Sequence, residues 1–561
     1  MDIHQDPGKI GKRLDWERGR RLYQENDGGW KDEKMKKELE LIFTSDIHGH
    51  VFPVNYPENK EEASGLLNMG GQIKKTDHTL ILDGGDSLQG TPLSQYYIAH
   101  SGKYSSHPLG EAFNSLGCDY YTLGNHDFNF GYEVLKSYID SMKGQCLCAN
   151  LEDLRGELKV KKHLVHVLGN GLRVGITGIV TDYVMIWEQP RNLEELRVMD
   201  AFETAKQEYE ALKDQCDVTV CIYHGGFEED LVTGKRLSDT RENVACEIAE
   251  KLGFDILLTG HQHILVEGVK LSGTYALQPP ANGTHYMQLE ALVEMPEWEE
   301  LSEEGESKKT EATLKETGTL KRQEPEILRI TSRAVKVGDW HKEEPYHSLL
   351  PLERDTQRWL DEPVGCLKEE ILPEEKLAAA LYGSRLADLF NAVQLEHTGA
   401  DFSCTSLGNQ PAGLKRQVSM REICGAYLFA NTLVVLEVDE QAVRTALERC
   451  GAYITIKNGK PEISEEFLKP KVEHYNFDFY AGLVYEFDFT RPVGQRLIKL
   501  TLPDGSPLGD RKYQLVTNNY RATGTGGYEA LAACPVIWRG ALEMPELVAQ
   551  YIRRHTREEE L

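Results

Sequence analysis

The side chains in this chain that invite chemistry come in short clusters, each just beyond an apolar run. "LIFTS" leads into Asp46-Ile47-His48, and "LILDGG" into Asp86 with Gln89 shortly after. "YYTLG" leads into Asn125-His126-Asp127 with Asn129 two further on, "VTVCIY" into His224-Gly225-Gly226, and "DILLTG" into His261-Gln262-His263. Taken singly, an Asp or Asn after a strand is usually a turn or helix cap. Taken together, they offer imidazole nitrogen with carboxylate and amide oxygen and no thiolate. That donor set suits Zn²⁺, Mn²⁺ or Fe and disfavours a structural zinc site. There are too many donors for one ion. Two ions about 3.5–4 Å apart need a bridging carboxylate, and such pairs polarise phosphoryl oxygens and make hydroxide available near neutral pH.

Such a cluster needs strands to carry it. From Leu39 onward short apolar runs alternate with stretches of helical period such as "FETAKQEYEALKD" and "ENVACEIAEKL", an α/β texture. In α/β sheets ligands bind beyond the carboxyl ends of strands, so five strand ends are expected to converge on one rim.

Composition limits the partners. The chain has 561 residues, enough for two to four domains, and a formal net charge of −27. That charge disfavours polymeric nucleic acid and anionic membranes, which need clustered Lys and Arg, but allows a small anion in a cleft whose field metal ions reverse. The eleven cysteines are scattered and several sit in apolar runs, which reads as buried thiols rather than a disulfide framework. No apolar run is long enough to insert in a membrane and the start lacks a leader-like apolar stretch, so a cytoplasmic protein is expected.

The expected organisation is a charged extension over 1–37, a first unit over 38–345 with a charged insertion at 294–325, and a helical connector over 346–365. A second, smaller α/β unit follows over 366–545, and a charged tail over 546–561.

The motifs "DIHGH", "GDSLQG", "GNHDFNFG", "HGG" and "TGHQH" stand in the order seen in calcineurin-like metallophosphoesterases, which the chain resembles most over about 40–290. "LFANTLVVLEV" and "VTNNYRATGTGGY" extend the resemblance into a 5′-nucleotidase C-terminal domain. The resemblance implies an α-β-β-α sandwich followed by a substrate-binding α/β domain. It implies two divalent ions (Mn, Zn or Fe), one on Asp46, His48, Asp86 and His263, the other on Asp86, Asn125, His224 and His261, with Asp86 shared. It places His126 outside the metals, facing the phosphoryl group and able to protonate the leaving alkoxide.

Members of the 5′-nucleotidase branch usually carry Asp three residues after that histidine, where this chain has Asn129. "GNH-acid-FN-aromatic-G" is more similar to the 2′,3′-cyclic-nucleotide 2′-phosphodiesterase/3′-nucleotidase branch. If Asn129 only orients the ring, replacing it by Asp should be tolerated. In the second unit the arginine with which the family usually holds the substrate phosphate or ribose is missing from "DFSCTSLGNQ", where Ser403, Thr405 and Asn409 are candidates for neutral hydrogen bonds to substrate. Phe429 and Tyr520 resemble the family's base clamp. The expected function is hydrolysis of a small nucleotide phosphoester, first of all a 2′,3′-cyclic one. The alternatives are a 5′-nucleotidase or UDP-sugar pyrophosphatase and, in another class, an inactive nucleotide-binding protein on the same scaffold.

Overall fold

The computed structural model describes residues 35–237, 240–295, 325–338, 344–429, 431–469 and 471–556. Most of the expected N-terminal extension and of the 294–325 insertion lies outside the described residues.

Two sheets form the first unit. The larger has seven strands, with Lys36–Thr44 between His285–Glu294 and Thr79–Asp83, then Tyr120–Tyr121 beyond. The pairing of Lys36–Thr44 with Thr79–Asp83 is parallel, Phe43 opposite Leu82, so both chains leave the sheet at the same edge. In the six-stranded sheet Arg173–Val180, Val218–His224 and Ile256–Thr259 run parallel in adjacent positions. Strands buried on both faces read as continuous apolar runs, and "VTVCIYH" is buried at every position. One core joins the inner faces, with Leu41, Phe43, Leu80 and Leu82 from the first sheet and Val220, Ile222, Ile256 and Leu258 from the second. Helices Pro108–Leu116 and Tyr132–Ser141 cover one outer face and Ala201–Leu212 and Ala245–Lys251 the other, completing the α-β-β-α sandwich. Glu326–Lys336 pairs antiparallel with His285–Glu294, so the chain beyond 294 returns as a neighbouring strand.

The second unit is built on a five-stranded sheet: Asp478–Ala481, Phe402–Ser406, Tyr513–Asn518, Thr432–Val438 and Val536–Glu543, in that spatial order. Glu440–Gly451 packs on one face, while Arg385–Thr398 and Met544–His555 join a core shared with the first unit. Two boundaries differ from expectation. The stretch read as a connector begins as helix Glu344–Leu360, whose Leu352 and Leu360 are buried in the shared core. It ends as strand Pro363–Cys366, paired with Gln417–Ser419 of the second unit. Most of the expected charged tail, up to His555, is helix, with Leu547, Val548 and Ile552 buried. Its apolar positions recur at helical spacing, a pattern masked by the charges between them.

None of the eleven cysteines, all among the described residues, forms a disulfide, and nine are buried. Among the described residues no helix is long and apolar enough to cross a membrane.

Candidate active site

The strand ends named above do converge, and they come from both sheets. Lys36–Thr44 delivers Asp46 and His48, Thr79–Asp83 delivers Asp86, and Tyr120–Tyr121 leads to Asn125. Val218–His224 ends on His224, and Ile256–Thr259 leads to His261 and His263. Local backbone conformation marks the spot. Nine described non-glycine residues have positive φ, and five of them are Asp46, His48, Asp86, His261 and His263. Left-handed backbone costs an ordinary residue energy and persists where surrounding contacts over-determine it. Here it turns side chains into the cleft close to a strand end. Gly85, at φ 88, is obligatory in this arrangement, since a Cβ there would lie 2.2 Å from the Gly124 nitrogen.

Ligand atoms of Asp46, His48, Asp86 and His263 lie within 4.8 Å of one another, and so do those of Asp86, His224 and His261, with Asp86 common to both groups. Asn125 joins the second group, its Oδ1 being 3.2 Å from His224 Nε2 and 2.9 Å from His261 Nδ1. For three of the four histidines, supporting hydrogen bonds leave one imidazole nitrogen for the cleft. His48 Nδ1 donates to the Gln89 carbonyl at 2.8 Å and His224 Nδ1 to the Gly84 carbonyl at 2.7 Å. His261 Nε2 donates to Glu242 Oε1 at 2.9 Å. Such outer contacts fix the tautomer and aim of a metal-binding ring.

Two observations say that the site fits cations. His48 Nε2, a bare lone pair once Nδ1 holds the proton, faces His263 Nε2 at 3.0 Å. Asp86 Oδ2, fully buried, accepts no hydrogen bond and lies 3.3 Å from His224 Nε2. Buried polar atoms left in such positions are costly without a partner. Burial, more than any neighbour, pushes the His48 pKa down to about 3, which keeps the ring neutral as a ligand must be. Burial also opposes charge on His224, whereas Asp86 and Asp46, the two anions that a bound cation would neutralise, pull its pKa up to about 10.

Asp127 points away from the cleft and braces it. Its Oδ1 accepts from Ser87 N and Leu88 N, each at 2.9 Å. Its Oδ2 accepts from Asp86 N at 3.0 Å and Gly124 N at 2.8 Å. His126, half-buried, lies beside the first ligand group, its ring 5.5 Å from that of His48. His126 Nδ1 donates to Asn129 Oδ1 at 2.8 Å. Asn129 Nδ2 in turn donates to Glu188 Oε2 at 2.5 Å. Tolerance of Asp at position 129 was expected of a residue that only orients the ring; Asn129 also donates to Glu188, a carboxylate that Asp would face.

The second unit carries the expected aromatic residues. Phe429 is 40% exposed and Tyr520 half-buried. Tyr475 packs edge-to-face on both, with ring centroids 6.2 Å and 6.4 Å away, making a three-ring cluster where a two-ring clamp was expected. Burial first, then the charge of Glu242 in the first unit, push the Tyr520 phenol pKa up, and Glu242 is also the residue that holds His261. Lys471 lies 6.0 Å from the Tyr475 ring. Burial holds its ammonium pKa below the ordinary range against the pull of Glu473, Asp46 and Glu242.

Three expected substrate contacts are elsewhere. Ser403 is fully buried and donates to Asn391 Oδ1 at 2.7 Å. Thr405 is 2% exposed inside the same sheet. Asn409 spends both ends of its amide on a neighbouring loop, donating to the Val472 carbonyl at 2.8 Å and accepting from His474 N at 3.0 Å. It shapes the segment that presents Lys471 and Tyr475. Sequence reasoning missed Glu188, Glu242, Lys471 and Tyr475. Of these only Tyr475 carried a signal, as part of the aromatic-dense "HYNFDFY" ahead of a strand.

Residues 39–265 match the family described as calcineurin-like phosphoesterase, and residues 368–533 match the 5′-nucleotidase, C-terminal domain. The trifunctional nucleotide phosphoesterase protein of Bacillus subtilis is 25% identical over 92% of this chain, which spans 38% of that protein's length. The 2′,3′-cyclic-nucleotide 2′-phosphodiesterase/3′-nucleotidase of Salmonella typhimurium is 24% identical over 87% of this chain and 81% of its own. Among solved structures, a Staphylococcus aureus protein provisionally identified as a 5′-nucleotidase, in complex with α-ketoglutarate, superposes with a TM-score of 0.80. It is 29% identical over 94% of this chain and 98% of its own.

Proposed function

Since the chain joins a calcineurin-like phosphoesterase domain to a 5′-nucleotidase C-terminal domain and is a metal-dependent phosphoric ester hydrolase, we propose that its substrate is a small nucleotide and its leading reaction the opening of a 2′,3′-cyclic nucleotide to the 3′-nucleotide. Removal of the 3′-phosphate follows in the same site. The observation that carries the reading is the pair of ligand groups sharing Asp86, with His126 beside them.

Asp46, His48, Asp86 and His263 would hold one divalent ion, and Asp86, Asn125, His224 and His261 a second, with a nitrogen and oxygen donor set suited to Mn, Zn or Fe. Bound there, the ions would polarise the phosphoryl group and lower the pKa of water. This chain's own residues do the rest. Water adds to phosphorus and gives up a proton to solvent, the bond from phosphorus to O2′ breaks, and O2′ takes the proton from His126 Nε2, which solvent later returns to the ring. The ring is left neutral with Nδ1–H still on Asn129. Lys471 supplies a positive charge from the second unit opposite the acidic wall. Phe429, Tyr475 and Tyr520 offer aromatic faces to a base. Preference for the cyclic ester is supported by the amide at position 129 and by three relatives of that name at 22–24% identity.

A 5′-nucleotidase reading is favoured by the Staphylococcus aureus structure. A phosphate-release panel over 2′,3′-cyclic, 3′- and 5′-nucleotides, with Mn²⁺, Zn²⁺ and Mg²⁺ supplied separately, decides between the two. Cyclic and 3′-nucleotides should turn over fastest. Turnover confined to 5′-nucleotides overturns the proposal, and no turnover with any metal overturns nucleotide hydrolysis altogether.

A further inference from the structure

The geometry points to Glu188 as a positioning residue for His126, acting through the side-chain amide of Asn129; the inference rests on the hydrolytic reading of this site. An ionised carboxylate only accepts hydrogen bonds, whereas a carboxamide has one accepting and one donating end. Glu188 Oε2 takes Asn129 Nδ2–H at 2.5 Å, which forces Asn129 Oδ1 to face the other way. That oxygen lies 2.8 Å from His126 Nδ1. It too can only accept, so the ring must carry its proton on Nδ1 and direct Nε2 outward. A carboxylate three residues from the histidine would orient the ring directly. Here an amide stands between ring and carboxylate, and the carboxylate sets which end of the amide the ring meets.

Glu188 is itself held. Oε1 accepts from Gln189 N at 2.6 Å and from Asn192 Nδ2 at 2.8 Å. Asn192 Nδ2 also donates to the Asn129 carbonyl at 2.8 Å, tying backbone and side chain of the same residue to one anchor. The preceding residue, Trp187, stacks on His261 with ring centroids 5.4 Å apart. The following one, Gln189, donates to Thr432 Oγ1 of the second unit at 2.7 Å. Three consecutive side chains thus reach a candidate metal ligand, the ring-orienting amide and the partner domain. None of these three contacts is local in sequence, and nothing in "IWEQP" announces them.

The test is a charge exchange, assayed at about pH 8.5, well above ordinary carboxyl pKa values. Asn129→Asp alone sets two carboxylates against each other, which cannot both stay ionised in contact, and should lower kcat roughly 10–100-fold with KM little changed. Glu188→Gln alone removes the charge that fixes the amide and should lower kcat about 3- to 10-fold. Asn129→Asp combined with Glu188→Gln restores a donor facing an acceptor, since the amide introduced at position 188 can donate to the carboxylate introduced at position 129. This double variant should recover at least about tenfold over Asn129→Asp alone. Thermal unfolding and metal content, measured on all three, separate loss of positioning from loss of fold. Full kcat in Asn129→Asp, or a double variant no better than the product of the single losses, overturns the inference. Running the same series on bis-p-nitrophenyl phosphate keeps it separable from the substrate proposal. If nucleotides fail as substrates while the exchange still rescues this ester, the reading of substrate falls and the role of Glu188 stands.

Discussion

Replacing Asp127 by Asn isolates how the loop that carries the shared ligand is held. Asp127 is 1% exposed and its two oxygens accept four backbone N–H groups, from Asp86, Ser87, Leu88 and Gly124. Burial, then the nearby Asp86 carboxylate, push its pKa up to about 6, so at a pH of about 8 it is an anion and the four bonds are charge-assisted. Asn keeps one accepting oxygen. Whichever way the amide turns, its NH₂ meets two N–H donors, which lose their acceptor in a buried place. Each such orphan costs about 1–3 kcal/mol, hence ~2–6 kcal/mol for two. Relief of repulsion with Asp86 offsets part of this, leaving about 2–4 kcal/mol, which lowers the melting temperature of the first unit by roughly 4–16 °C. Asp86 sits at φ 58, a conformation that this bracing helps to maintain. Affinity at both ligand groups should therefore fall, although Asp127 would touch neither ion. The assays are a thermal melt of the metal-loaded protein and elemental analysis after gel filtration. A variant that melts with wild-type and retains full metal would refute the bracing role, and with it the claim that backbone amides aim Asp86.

Three further changes probe the chemistry. His126→Asn should leave metal content intact and lower kcat by roughly 10²–10⁴-fold, the range of a positioned acid or base; metal lost in step with activity would make His126 a ligand instead. Phe429→Ala and Tyr520→Ala should each lower kcat/KM for nucleotides about 5- to 150-fold, from roughly 1–3 kcal/mol of stacking. Both should spare bis-p-nitrophenyl phosphate, and an unchanged ratio of the two activities removes the base-binding role. Lys471→Met should raise KM for anionic nucleotides by about tenfold, one favourable charge contact of ~1.4 kcal/mol, and a KM equal to wild-type would show that its ammonium does not reach substrate.

The candidate ligands were legible because each is tied to the end of an apolar run, and a strand end is a position that sequence marks well. Asp46, Asp86 and His224 lie within three residues of the strands that aim them. The α/β layers were legible for the same reason, since strands buried on both faces are short continuous apolar runs. What the sequence hid are contacts between segments far apart. Glu188 reaches Asn129 and Glu242 reaches His261 from loops with no periodicity. Lys471 looks like any charged loop residue, yet burial holds its ammonium pKa down against the pull of Glu473 and Asp46. The polar side chains of "DFSCTS" misled for the converse reason. Ser403 and Thr405 look available, but the strand that carries them lies inside the second sheet, and their hydroxyls are buried in the protein. In the C-terminal helix, arginines adjacent to Ile552 concealed an apolar stripe that only the 3.6-residue period reveals.

The central claim is that catalysis needs divalent ions held by two groups of side chains meeting at Asp86. Its most direct test is to strip the protein with a chelator and titrate Mn²⁺ back while following hydrolysis of 2′,3′-cyclic AMP. Activity should be absent in the stripped protein and rise to a plateau near two ions per chain, about the number the two groups can hold. The same titration of Asp86→Ala should show neither ion retained and no recovery. Full activity in the stripped protein, or an Asp86→Ala variant that regains wild-type activity with the metal, would contradict the account.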